Sequence, residues 1–91
     1  MPKLQEFTGQ IVSKDALKVY KKNEFYGNIN YKLTVLKEKD KKKLIVFVYA
    51  NLISQPIYQV IKESHYFAKR YLFFCARKKK NLVLANWQEI Q

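Results

Sequence analysis

Leu44-Ile45-Val46-Phe47-Val48-Tyr49-Ala50, followed three residues later by Ser54-Gln55-Pro56-Ile57-Tyr58-Gln59-Val60-Ile61, is the stretch that decides the fold. The first run is apolar on both parities, as a strand is when both faces are covered or when one meets a ligand. Then the period changes. Ser54 suits an N-cap, Pro56 suits a first helical turn, and Ile57, Val60 and Ile61 follow helical spacing. The predicted helix is short, about three turns, and ends near Ser64-His65.

Upstream, residues 28–36 alternate, with Ile29, Tyr31, Leu33 and Val35 set against Asn28, Asn30, Lys32 and Thr34. That is period 2, a strand with one face buried and one wet. Phe7 to Ser13 is the first strand candidate, with Phe7, Gly9 and Ile11 on one parity. A glycine inside a strand removes a side chain, and strongly bent strands of small barrels use one to turn between sheets. Lys14 to Gly27 separates these strands, and the charged hairpin Lys37 to Lys43 leads into the third. Downstream, Tyr66 to Arg77 and Leu82 to Ile90 read as two further strands, joined by the basic turn Lys78-Lys79-Lys80-Asn81. The order is β-β-β-α-β-β. This predicts an all-β domain, a five-stranded OB-fold Greek-key barrel with one short helix between strands 3 and 4. Barrel closure lets so short a chain bury a core without long open edges. A ferredoxin-like arrangement would need a helix over Lys14 to Asn23, which is too polar and too interrupted by Tyr and Val.

The chain has 91 residues, so residues 1–91 are expected to form a single domain. With 48% hydrophobic and 15% aromatic residues it has enough apolar surface to fold. Eighteen Lys+Arg against seven Asp+Glu leave a formal charge of +11, which points to a polyanionic partner. Lys outnumbers Arg 16 to 2, and Ile, Asn, Tyr and Phe are plentiful, the bias of an AT-rich coding genome. Such drift raises Lys without removing acids, so it does not explain the whole excess. The longest uncharged run, Leu44 to Ile61, is too mixed to cross a bilayer, and the N-terminus has no apolar signal region. The expectation is therefore a non-secreted protein of a reducing compartment, without a membrane partner.

No enzyme is expected. The acids are scattered among lysines, Gly9 and Gly27 make no phosphate-cradling loop, and the lone Cys75 rules out an intramolecular disulfide. His65 has no second ligand beside it, and Cys75 and His65 lack the orienting acid of a nucleophile pair. No cofactor and no metal are implied.

Gly9-Gln10-Ile11-Val12-Ser13-Lys14-Asp15-Ala16-Leu17-Lys18 resembles the first strand of the single-stranded DNA-binding protein family, Gly-x-Leu followed by Asp-Pro-x-Leu-Arg. Asn30-Tyr31-Lys32-Leu33-Thr34-Val35 resembles its second, Asn-Phe-x-Leu-x-Val, with Gly27 where the family carries a glycine ahead of it. Tyr49-Ala50-Asn51-Leu52 resembles the Phe-Gly-Lys-Leu that links strand three to the helix. The likeness covers about half the chain. The family's stacking Trp falls near Lys43, and Ser64-His65 stands where a glycine usually follows the helix. Short and basic, the chain is most similar to the short single-strand binding proteins of algal plastids and cyanobacteria. The resemblance implies a homo-oligomer, dimer or tetramer, in a plastid or a bacterial cytoplasm.

Sequence-tolerant binding of single strands needs cations along the backbone path and rings on which bases stack. The resemblance puts Lys43, Ile45, Phe47 and Tyr49 on the ligand face of strand three. Phe47 and Tyr49 are the first stacking candidates; the other readings are core packing or a dimer face. Strand two offers Asn30, Lys32 and Thr34 on its wet face. The first loop adds Lys21, Lys22, Phe25 and Tyr26, whose rings either stack on bases or pack over the barrel end. Lys69, Arg70 and Tyr71 form a similar cluster on strand four. Arg77, Lys78 and Lys79 begin a basic tip, completed by Lys80, on the last hairpin. Trp87 and Tyr66 are further rings, with core the better reading of Trp87. The expected function is sequence-tolerant single-stranded DNA binding in replication or repair. An OB-fold RNA-binding protein and an oligomerising scaffold of a replication complex are the alternatives.

Overall fold

Gly9 is where the first strand changes partners, and the barrel closes around that change. A computed structural model of the chain describes residues 4–17 and 29–91. Its elements are β1 (Gln5–Leu17), β2 (Asn30–Lys37), β3 (Lys43–Val48), α1 (Gln55–Lys62), β4 (Arg70–Lys78) and β5 (Asn81–Ile90). The strands form a closed barrel in the order β1-β2-β3-β5-β4, with a single helix between β3 and β4. This is the expected OB-fold.

The first half of β1 pairs with β4, from Gln5↔Cys75 to Gly9↔Tyr71. Its second half pairs with β2, from Gly9↔Lys37 to Leu17↔Asn30. One 13-residue strand thus belongs to two sheets, and a bulge between Ile11 and Ser13 adds to its bend. A Cβ on Gly9 would stand 2.5 Å from the backbone oxygen of Leu36 and 3.0 Å from Cγ1 of Val35. Only glycine permits that approach. On the other side of the barrel, β3 and β5 close in parallel through Val46↔Leu82 and Phe47↔Val83.

The alternation read in β2 is realised. Tyr31, Leu33 and Val35 face inward, with Val46 and Val48 of β3 and Phe73 and Cys75 of β4. The helix adds Ile57, Tyr58 and Ile61 to the same apolar cluster. Trp87 packs against this core, its ring stacked on Tyr71 at 4.0 Å and edge-on to Phe73.

Several boundaries differ from expectation. The helix has only eight residues, Pro56 lies in its first turn, and Ser54 takes the N-cap position without a side-chain hydrogen bond. It ends in a Schellman-type turn, where the Ser64 N–H donates to the Ile61 carbonyl and that of His65 to Val60. Ser64 has φ 58, the left-handed conformation that favours glycine. Lys14, expected in the loop beyond the first strand, lies within β1 and spans the barrel to this turn. Its Nζ donates to the carbonyls of Ile61 (2.9 Å) and Lys62 (3.1 Å) and to the Ser64 hydroxyl (2.8 Å). A cation there complements the negative end of the helix dipole. The fourth strand begins at Arg70 rather than Tyr66, because Ala68 (φ 59) prolongs the turn.

Gly9→Ala is expected to destabilise the barrel by about 1–3 kcal/mol, since backbone must move to admit the methyl group. Urea unfolding followed by circular dichroism reads this as a lower midpoint with an unchanged slope.

Candidate nucleic-acid interface

The outer face of β3 carries Lys43, Ile45 and Phe47, while Val46 and Val48 turn inward. This is the parity implied by the family resemblance. Ile45 is 43% exposed, a large apolar side chain left in water. Phe47 and Tyr49 are half-buried and stacked on each other, with centroids 6.4 Å apart and planes within 9°. Antiparallel pairing sets Lys32 of β2 beside Phe47, and Thr34 beside Ile45.

A groove of about 480 Å³ opens over this face. Its walls are Lys32, Ile45 and Phe47 on one side and Arg77, Lys80 and Asn81 of the β4–β5 hairpin on the other. Among the described residues, no carboxylate pairs with Lys32, Arg77 or Lys80. The hairpin turns through Lys79-Lys80 alone, between the paired Lys78 and Asn81, and Lys79 is held at φ 56. A tight turn of this kind normally takes Asn or Gly at the left-handed position. Lysine there, with Arg77, Lys78 and Lys80 as neighbours, costs both backbone strain and like-charge repulsion. Arg77 and Lys78 are the last two residues of β4, and Lys79 stands in the turn itself. Of this basic tip, Arg77 and Lys80 line the groove, together with Ile45.

The cluster expected on strand four is not part of this groove. Tyr71 points into the barrel and is 2% exposed, stacked on Trp87 and edge-on to Phe73, so no base can reach it. The inward parity of Tyr71, Phe73 and Cys75 decides its place. Arg70 makes a bidentate pair with Glu38, at 2.7 and 2.8 Å from one guanidinium nitrogen. Lys69 pairs with Glu89 at 3.5 Å. Both cations are thereby offset, and Arg70 lies about 23 Å along the strand from Arg77 at 3.3 Å per residue. Asn30 is also committed elsewhere: its side-chain oxygen accepts the Ala50 N–H at 2.9 Å, holding the exit of β3 against the start of β2. Tyr66 is buried in the core. Lys21, Lys22, Phe25 and Tyr26 lie outside the described residues.

Burial also sets the acid–base behaviour of two core groups. It pushes the Cys75 thiol up to about 12 and, with the charge of Glu89 as a smaller cause, the Tyr71 phenol up to about 12. No protein-family model, no curated protein and no solved structure matches the chain. The groove's own chemistry therefore carries the functional reading.

Two outcomes are expected. Lys79→Gly should raise stability by about 1 kcal/mol, seen as a higher urea midpoint, because glycine accepts the left-handed turn without strain. Stability should also fall as pH rises from about 9 towards 12. In that window the unfolded chain releases the Cys75 and Tyr71 protons, whereas the folded barrel retains them until about 12. In Cys75→Ala the decline between pH 9 and pH 10 should be shallower, as denaturant titrations across that range would record.

Proposed function

We propose that this barrel binds single-stranded DNA without sequence preference, as a homo-oligomer that shields exposed strands in replication or repair. The observation that carries the reading is the groove, in which Phe47, itself stacked on Tyr49, lies with Lys32 and with Arg77 and Lys80 of the cationic hairpin. Rings supply a stacking surface that every base can use, and the cations follow the phosphates. Neutral walls would leave phosphates unpaired, and cations alone would bind duplex equally well. The role is binding, not catalysis. The Lys-, Ile- and Asn-rich composition supports a plastid or bacterial setting.

Binding to oligo-dT should weaken linearly on a log–log plot against salt, with a slope of about −0.7 per phosphate contact. Contacts from Lys32, Arg77, Lys79 and Lys80 give about −3. Phe47→Ala should cost about 1–3 kcal/mol of affinity by removing one stack. Arg70→Ala should leave affinity nearly unchanged, because Glu38 already holds that guanidinium. Binding should quench tyrosine emission and leave Trp87, which stacks inside on Tyr71, unaltered. A flat salt dependence, or full affinity in Phe47→Ala, would defeat the reading. Preference for a matched RNA strand in competition would move it to RNA.

A further inference from the structure

Five of the six secondary-structure elements carry a lysine or arginine: Lys14 in β1, Lys32 in β2, Lys43 in β3, Lys62 in α1 and Arg70 in β4 among them. β5 has none. In a chain with eighteen such residues, positions 81–91 hold one charged side chain, Glu89, and it is paired with Lys69.

Among the described residues, β5 also has an open side. It lies against β3 only at Leu82 and Val83, yet runs along β4 as far as Ile90. Beyond the irregularity opposite Phe74 and Cys75, Asn86–Ile90 has no strand on the side away from β4 among the described residues. The backbone of α1 does not run alongside it. Natural sheets defend such an edge with lysine, proline or an inward charge, and this stretch contains neither lysine nor proline. Its outer face presents Asn86 and Gln88, both exposed and neutral.

We propose that two copies of the chain pair antiparallel through the Asn86–Ile90 edge of β5, joining the barrels as a two-fold dimer. The inference names the surface of the homo-oligomer proposed above and does not depend on nucleic-acid binding. Strand pairing brings two backbones within about 4.8 Å, where opposed lysines repel. A strand without cations lets a copy of a +11 chain come this close. An acidic partner would be drawn to the lysine-bearing faces instead. Antiparallel pairing is isologous, and each chain has one such edge, so assembly closes at two. With the two-fold axis at Trp87, Asn86 faces Gln88 of the partner subunit and Gln88 faces the partner's Asn86, where their amides can exchange hydrogen bonds. The groove lies on the β2–β3 face and is left open.

The test is subunit mass by sedimentation velocity without nucleic acid, for the full chain and for Asn86→Lys/Gln88→Lys. Both positions are exposed, so the paired variant should keep the wild-type circular dichroism spectrum and a cooperative melt, displaced only by the loss of association. Wild type is expected at twice the 10.9 kDa of one chain and the variant at 10.9 kDa. Amide exchange provides a readout without mutation, in which Asn86–Ile90 protection should be lost on dilution. A monomeric wild type overturns the proposal, as does a lysine variant that remains dimeric. So does a dimer that survives these lysines and dissociates in Ile45→Lys, which would place the interface on β3. A monomeric variant that still binds oligo-dT separates the two proposals, as would a dimer that binds none.

Discussion

The close approach of Gly9 to the backbone of Leu36 is the contact on which the rest of the barrel depends. Five short strands can close only if one of them serves two sheets, and β1 does so by leaving β4 and joining β2 at that residue. With 2.5 Å between a would-be Cβ and a carbonyl oxygen, no side chain could be accommodated without opening the β1–β2 seam. The consequences reach the groove. β2 is held in register by β1, β3 by β2, and the pairing of Lys32 with Phe47 follows from that succession. The parallel contact with β5 then brings the β4–β5 hairpin over the same face.

Charge is partitioned by the same geometry. Glu38 and Glu89 sit where they meet Arg70 and Lys69, at the end of β4 remote from its hairpin. Asp40 pairs within its own turn, where the Lys42 N–H, ahead of the Lys37 ammonium, holds its carboxyl below the ordinary range. Lys14 is spent on the helix terminus. Net charge thus overstates how many cations are available to a ligand and understates how concentrated they are. A ligand meets the field of Lys32 and Arg77–Lys80 beside two rings, and a single strand of nucleic acid offers phosphates and bases in that same juxtaposition.

Much of this was legible in the chain. Period 2 gave the inward set of β2, the shift to helical spacing after Ala50 located α1, and a glycine inside a strand marked the bend. Other features were hidden for identifiable reasons. Ser64 and Ala68 adopt left-handed conformations without being glycine, so the end of the helix and the start of β4 carried no local signal. Asn30 looks like a solvated polar residue on the wet face of a strand, and Lys14 like a loop lysine. Their partners, Ala50 and the turn after Ile61, are 20 and 47 residues away. The basic neighbours Lys69 and Arg70 suggest a place for Tyr71 on the outer surface, but strand parity with Phe73 and Cys75 decides that it faces inward. Adjacency in sequence is a poor guide within a strand, since neighbours face opposite ways.

The groove is also where the fold forgoes stability. Ile45 is left in water, four consecutive cations crowd one hairpin, and Lys79 occupies a backbone conformation suited to glycine. Each of these is locally unfavourable, and a barrel selected for stability alone would place Asn-Gly at the turn and a polar residue at position 45. The interior follows the rules closely: the core is apolar, no polar side chain is fully buried among the described residues, and the helix end is capped twice. Left-handed residues also occur at Lys41, Ser64 and Ala68, and Phe67 is more exposed than Ile45, but at the groove an exposed apolar side chain, a strained turn and cations without carboxylate partners among the described residues coincide. A ligand that covers Ile45, stacks on Phe47 and neutralises the hairpin would relieve two of the three costs at once. That relief is the physical reason to expect the barrel to be more stable with a polyanion bound than without one.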